Sequence, residues 1–255
     1  MSLASLAALQ TNVIPSEDWA LVRSIIETAL LNQPRSQQVR IGPSEIGTPC
    51  DRCLIHKLAG TIATEAGVPW LPFVGTAVHA ALEDIFTQAN AGCPVRWLTE
   101  TTVSVGSVGG IDITGHADLF DLHTGTVMDW KVVGKTTLDK VRRHGPSQTY
   151  RAQGHLYGRG FTRRGLQVQT VRILFLPRNA ISLTDAVIWE EPYDEQIALA
   201  ALGRADMFAA AIAAMGADAV LAMAGEHTGG EFACKTYDDF PAVAGITADA
   251  FLGVG

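Results

Sequence analysis

At 255 residues, 47% hydrophobic and 18% charged, the chain suits one sizeable globular domain, or a domain with an appended subdomain, that buries a real core. No Lys or Arg precedes Arg23, and no small-residue cleavage site follows an apolar run. The most membrane-like stretch, residues 207–224, is interrupted by Asp218, so neither a signal peptide nor a transmembrane helix is expected. Four cysteines without a secretory signal then point to reduced thiols in a cytoplasm, and the net charge of −7, taken alone, argues against a nucleic-acid partner.

Residues 1–14 read as a loosely attached start. Residues 16–31 have a Ser16 N-cap, early acids and apolar positions at helical spacing, which predicts an amphipathic helix, and 32–39 is a polar linker. Residues 41–60 predict a turn and short helix, a break at Pro49 and a second helix from Asp51. Cys50 and Cys53 form a C-x-x-C pair there, ambiguous on its own between half a metal site, a redox pair and two buried thiols. A full site needs two more ligands, with Cys93, Cys234, His56 and His227 as the donors available. Ordinary structural cysteines are favoured over an iron–sulfur cluster or zinc.

Residues 72–90 predict a strongly amphipathic helix with His79 and Glu83 on one face, and Gly75 as a point where another backbone comes close. A strand containing Glu100 follows over 95–105, then a turn at 106–110, then strands at 111–122 and 127–133. Residues 147–163 predict a helix despite Gly154, Gly158 and Gly160, which suits close packing against a sheet. Gln153 and Tyr157 share one face of it, and Arg151, His155 and Arg159 make a basic stripe. A buried strand at 168–176, an exposed one at 186–191 and a long Ala-rich helix over 194–224, interrupted at Gly216, complete the chain. The domain reading is a helical extension over 1–40, a core over 41–192 and a C-terminal helical segment over 193–255 packed on it.

Residues 115–131 concentrate the chemistry. With 123–126 as a four-residue loop and Gly125 supplying a positive φ, Leu122 pairs with Val127 and Asp118 falls across from Lys131, on the face that carries Asp129. Two carboxylates side by side repel and are costly to bury. A hard divalent cation such as Mg²⁺ or Mn²⁺ removes that cost, polarises a phosphodiester and acidifies a water, while a nearby Lys orients that water or steadies developing charge. The plainer alternative is a solvated hairpin edge.

Charge distribution reverses the argument from net charge. Residues 131–164 hold nine of the 19 Lys and Arg (Lys131, Lys135, Lys140, Arg142, Arg143, Arg151, Arg159, Arg163 and Arg164) and one acid, Asp139, giving +8 against −15 for the remainder. A basic band beside an acidic metal patch suits a polyanion, the alternative being a solvated helix face.

The order of these pieces resembles the PD-(D/E)XK nuclease superfamily, especially the RecB-type branch that includes the CRISPR-associated exonucleases. Residues 44–53 resemble its S…C-P entry segment, 75–79 (GTAVH) its G-x-x-x-H helix, 115–118 its G-x-x-D, 129–131 its (D/E)-x-K and 153–157 its Q-x-x-x-Y. The resemblance implies an α/β fold, a restriction-endonuclease-like core whose central mixed sheet is flanked by helices, with helical additions at both ends. It implies that His79, Asp118 and Asp129 bind Mg²⁺ or Mn²⁺ with the Trp130 carbonyl, that Asp118, Asp129 and Lys131 are catalytic, and that Gln153 and Tyr157 hold the DNA. Arg151, Arg159 and Lys135 are further DNA contacts in the basic band. Glu83, Glu100 and His116 are expected as supporting groups around the metal, and Cys50, Cys53 and Cys234 as cluster ligands only if a cluster exists. The branch's iron–sulfur members carry one cysteine before the core and three near the C-terminus, a pattern this chain lacks.

The expected activity is exonucleolytic hydrolysis of single-stranded DNA or duplex ends in recombination, repair or replication. A structure- or sequence-specific endonuclease, a non-catalytic DNA-binding accessory protein and an interaction protein regulated through Cys50 and Cys53 are the alternatives. DNA is the expected partner, with a recombinase, helicase or single-strand-annealing protein as protein partners and no membrane.

Overall fold

The computed structural model describes residues 17–32, 41–61, 68–91 and 94–228, with Cys234 and Tyr237. The first stretch of the chain, Ser16, most of the polar linker, Cys93 and nearly all of the tail lie outside the described residues. Two compact units divide the chain: Met1–Gln38 with Gly67–Trp70, and Val39–Ala66 with Leu71–Gly255. In the first unit, helix α1 spans Glu17–Leu31, where the apolar spacing predicts it.

The second unit is built on one five-stranded mixed sheet in the order β1 (Trp97–Val108), β2 (Ile111–Asp121), β3 (Thr126–Val133), β4 (Thr170–Pro177) and β5 (Val187–Pro192). Only β3 and β4 run parallel. A parallel pair needs a long crossover, supplied here by α5 (Lys135–His144) and α6 (Gln148–Arg163). Sequence patterning does not announce α5, whose ten residues bury just Leu138 and Val141, against Ile173 and Phe175. Helix α6 carries Leu156, Tyr157 and Phe161 into the main core with Val103, Val105, Phe120 and Val127. Its glycines permit that approach: a Cβ at Gly154 would lie 2.4 Å from Val171, and one at Gly160 2.6 Å from Val103. The architecture is the α/β one expected, a mixed sheet flanked by helices, and is consistent with a restriction-endonuclease-like core.

The other face of the sheet is covered by α4 (Trp70–Ala89), whose Leu82 and Phe86 pack on Leu119, Met128 and Trp130. The close approach expected at Gly75 is absent, since nothing described lies within 4 Å of a Cβ placed there. Helices α2 (Pro43–Ile46) and α3 (Asp51–Leu58) flank the break at Pro49, and α7 (Glu195–Met215) and α8 (Ala217–Met223) the break at Gly216. By length and composition α7 could cross a membrane, a different window from the 207–224 stretch weighed in the sequence. Its Ala198, Leu202 and Ala205 join the main core.

Two strand expectations need correction. Strand β1 continues through the turn predicted at 106–110: a bulge between Ser104 and Gly106 absorbs the irregularity, and only Gly109 and Gly110, at φ 57° and 77°, turn the chain. In the β2–β3 hairpin, Phe120 pairs with Val127 and Asp121 with Thr126, so Asp118 does not face Lys131. The loop is residues 122–125, closed by Gly125 at φ 65°. Asp121 sets this register: its carboxylate accepts from His123 N–H and the Thr124 hydroxyl, which draws Leu122 into the loop. The slip is two residues, and an even slip leaves each side chain on its own face.

Candidate active site

The β2–β3 ladder is three pairs long and ends at Leu119 and Met128, beyond which the strands part. Asp118 occupies the fork, where its Oδ2 accepts the Trp130 N–H at 2.7 Å. On the other side of β2, the register places Glu100 opposite Asp118, between the pairs Thr99–Leu119 and Thr101–Ala117, yet these two residues are not paired. Glu100 has φ 39°, the left-handed region that a residue with a side chain avoids, at a cost of about 1–3 kcal/mol. Alternation breaks at the same place. Leu98 shares a core cluster with Val103 and Val105, and Ala117 with Phe120, which a regular pleat cannot do at odd spacing. The outcome is that Glu100, Asp118 and His79 of α4 each offer a ligand atom within 4.8 Å of the others, with His79 Nδ1 3.1 Å from Asp118 Oδ1.

Asp129 and Lys131 project from β3 beside this group. Asp129 is 1% exposed, and Lys131 Nζ lies 2.5 Å from its Oδ2, in a direction that leaves both carboxylate oxygens without an aligned hydrogen-bond donor. The ammonium instead donates to Gln153 Oε1 at 3.0 Å and sits 4.9 Å from the centre of the Tyr150 ring. Gln153 Nε2 in turn donates to the Tyr157 hydroxyl at 3.3 Å.

The electrostatics are those of an anionic pocket short of cations. Burial pushes Asp129 up, opposed by Lys131 and reinforced by Asp118. Burial also pushes Glu100 up, with Asp118 and Glu83 adding to it. Burial pulls His79 and Lys131 down, but the surrounding carboxylates outweigh it and raise both. The Glu100 and Asp118 carboxylates and the His79 imidazole, with the buried Asp129 carboxylate next to them, are the kind of donors that a hard divalent cation takes.

The remaining expected residues are distributed unevenly. Glu83 is half-buried on α4 and His116 is exposed on β2 beside Thr102 Oγ1, and both act on Glu100 through charge. Trp130 is buried, stacks on Phe86 and gives its N–H to Asp118. The basic stripe of α6 is engaged by acids: Arg151 forms an ion pair and His155 a hydrogen bond with Glu191, and Arg159 pairs with Glu195. His155 Nδ1 accepts the Asp194 N–H, which places its proton on the nitrogen facing Glu191. Lys135 and Arg142 pair with Asp139. Five of the nine cations in residues 131–164 are thus paired with four carboxylates, of which Asp129, Glu191 and Glu195 lie outside that window and the last two far along the chain. Linear counting of charge overstates the band because acids distant in sequence fold onto it.

No family model matches the chain, and no curated protein matches it. Among solved structures it is similar to an alkaline exonuclease, LHK-Exo, from Laribacter hongkongensis. The TM-score is 0.48 and the identity 10%, over 74% of this chain and 93% of that one. The same exonuclease in complex with dAMP gives the same TM-score and identity over 92% of its length.

Sequence reasoning places Glu100 in a supporting role, whereas its carboxylate stands with His79 and Asp118. Counting register back from the Gly109–Gly110 turn would set Glu100 against Leu119; the bulge between Ser104 and Gly106 moves it to Asp118, and no apolar pattern announces that bulge. Sequence reasoning also favours ordinary structural cysteines over a metal site, and the structure brings Cys50, Cys53 and Cys234 together with His227, one of the donors the sequence makes available.

Proposed function

We propose that this chain is a metal-dependent deoxyribonuclease that hydrolyses phosphodiester bonds at the β2–β3 fork. The observation that carries the reading is the convergence of His79, Glu100 and Asp118 within 4.8 Å of one another, with the buried Asp129 near enough to Asp118 and His79 to act on them through charge. Asp118, Asp129, Glu100 and His79 would hold Mg²⁺ or Mn²⁺, which supplies polarisation of the phosphoryl group and acidification of water. The protein's own groups do the rest. The Trp130 N–H fixes the Asp118 carboxylate, and His79 holds its other oxygen. Lys131, charged and steered by Asp129 and Gln153, orients the attacking water or meets charge developing on phosphate oxygens. Among the described residues, Lys140, Arg143, Arg163 and Arg164 have no carboxylate partner. They are better suited than Arg151 and Arg159 to the sequence-independent phosphate contacts a nuclease needs.

DNA as substrate, and exonuclease action on single strands or duplex ends, follow from the motif resemblance. The test is cleavage of end-labelled linear, single-stranded and covalently closed circular DNA, with and without Mn²⁺. Loss of linear and single-stranded DNA only with metal, circles remaining intact, supports the exonuclease. Nicked circles support an endonuclease on the same centre. Tight DNA binding without cleavage, or cleavage unchanged in Asp129→Ala or Lys131→Ala, overturns the catalytic assignment.

A further inference from the structure

Away from the fork, a second set of ligating side chains meets at one point, and the proposed hydrolysis makes no use of it. Cys50 caps the start of α3, Cys53 lies in its first turn, His227 follows α8, and Cys234 comes seven residues later. One ligand atom from each lies within 4.8 Å of the other three. His227 Nδ1 is 3.4 Å from Cys50 Sγ and 3.5 Å from Cys53 Sγ, and the Cys53 and Cys234 sulfurs are 3.2 Å apart. All three cysteines are free thiols and buried.

Those separations select among the uses of such a set. A zinc ion with Zn–S of about 2.3 Å and Zn–N of about 2.0 Å places tetrahedral sulfur and nitrogen roughly 3.5 Å apart, as the two His227–sulfur pairs are, and sulfurs roughly 3.8 Å apart, so that binding would spread the Cys53 and Cys234 sulfurs by about 0.6 Å. A disulfide joins two sulfurs and gives no role to an imidazole. A four-iron cube seats each cysteine on its own iron, which spreads the sulfurs wider than ligands sharing one ion. We infer that Cys50, Cys53, His227 and Cys234 form a mononuclear Cys₃His site for a tetrahedral, thiophilic divalent cation, zinc foremost.

The surroundings agree. Burial pushes the Cys50 thiol up, but the N–H groups of Cys53 and Thr228 facing its sulfur help bring it down to about 6. Burial, Cys234 and Cys50 all push Cys53 up. A dication bound here would hold the cysteine sulfurs as thiolates, and the proposal rests on the convergence of the four ligand atoms. Four protein ligands leave no open position, so the site is structural. It clips the segment after α8 onto α3, where the Arg52 guanidinium also donates to the Leu221 carbonyl and Tyr237 stacks on His56 at 4.3 Å.

The test uses the full chain purified without added metal. Elemental analysis should find about one zinc per chain and no acid-labile sulfide. Cobalt substitution should give the intense visible bands of a tetrahedral ion with a sulfur-to-cobalt charge-transfer band. Cys234→Ser and His227→Ala should each weaken metal retention at least about 10-fold, and His227→Cys should preserve it. If Cys234→Ser fails to fold, metal content and the cobalt spectrum of the unaltered chain decide. Iron with sulfide, an octahedral cobalt spectrum, or thiols that react equally fast with and without chelator in a metal-free protein would each overturn the inference.

Discussion

The β2–β3 hairpin carries two carboxylates that are equally hidden and oppositely treated. Asp121 and Asp129 are both 1% exposed. At the tip, Asp121 accepts two bonds from Arg96 and one each from His123 N–H and the Thr124 hydroxyl, and Arg96 foremost holds it down to about 2. At the fork, Asp129 has one misaligned ammonium beside it and is pushed up by burial. A carboxylate that serves the fold has its hydrogen bonds completed by the chain. Asp129 has a close ion pair with Lys131 but poorly aligned hydrogen bonds, and on the proposed function that unfilled side is where a cation would sit.

The comparison breaks most decisively at Asp129. Asp129→Asn should reduce metal-dependent cleavage by about 10³-fold, and it should abolish the rise in melting temperature that Mn²⁺ gives the unaltered chain. Cleavage within a few-fold of normal would make the open oxygens an accident of packing. Lys131→Met should cost about 10² in cleavage and, by leaving Asp129 alone, about 3–5 kcal/mol in stability by urea denaturation. The double variant Asp129→Asn/Lys131→Met should recover that stability while remaining inactive, because a buried ion pair replaced as a unit is often neutral or better.

This asymmetry also explains what the sequence discloses. Asp118, Asp129, Lys131, Gln153 and Tyr157 sit on regular elements or on local motifs, so periodicity and spacing place them close together. The five strands were legible for the same reason, though the loop register was not. That register depends on the Asp121 side chain, whose bonds to His123 and Thr124 no pattern of apolar residues encodes. Helix α5 stays hidden because Leu138 and Val141 are too few to make a stripe. The Cys/His group is least legible: Cys53 and His227 meet across 174 residues, and His227 lies outside any helix or strand.

At the hairpin tip the expected effect is smaller and lies in stability. The folded value of Asp121 is depressed, so its contribution is fully present above its ordinary value of 3.8 and is lost as pH falls toward about 2. With Arg96 half-exposed at 48%, the contribution is about 1–2 kcal/mol. Asp121→Asn should lower stability by that amount at pH 7 and flatten its decline between pH 4 and 2, as followed by thermal melts. Cleavage should change little. An unchanged pH profile would show that the bonds at the tip do not hold the loop.

The smallest effect separates two roles for one pair of residues. If Gln153 and Tyr157 grip DNA, as the motif resemblance implies, Gln153→Leu and Tyr157→Phe should raise KM. The geometry favours a positioning role, since Gln153 is buried between the Lys131 ammonium and the Tyr157 hydroxyl and accepts directly from the former. On that reading kcat falls about 10-fold, the scale of one misdirected charged hydrogen bond, while KM for DNA stays put. Tyr157→Phe should show a milder version, because it loosens Gln153 without touching Lys131. In the Lys131→Met background Gln153→Leu should then cost nothing further, because the group it steers is gone. A KM increase that persists in that background would return the pair to the DNA.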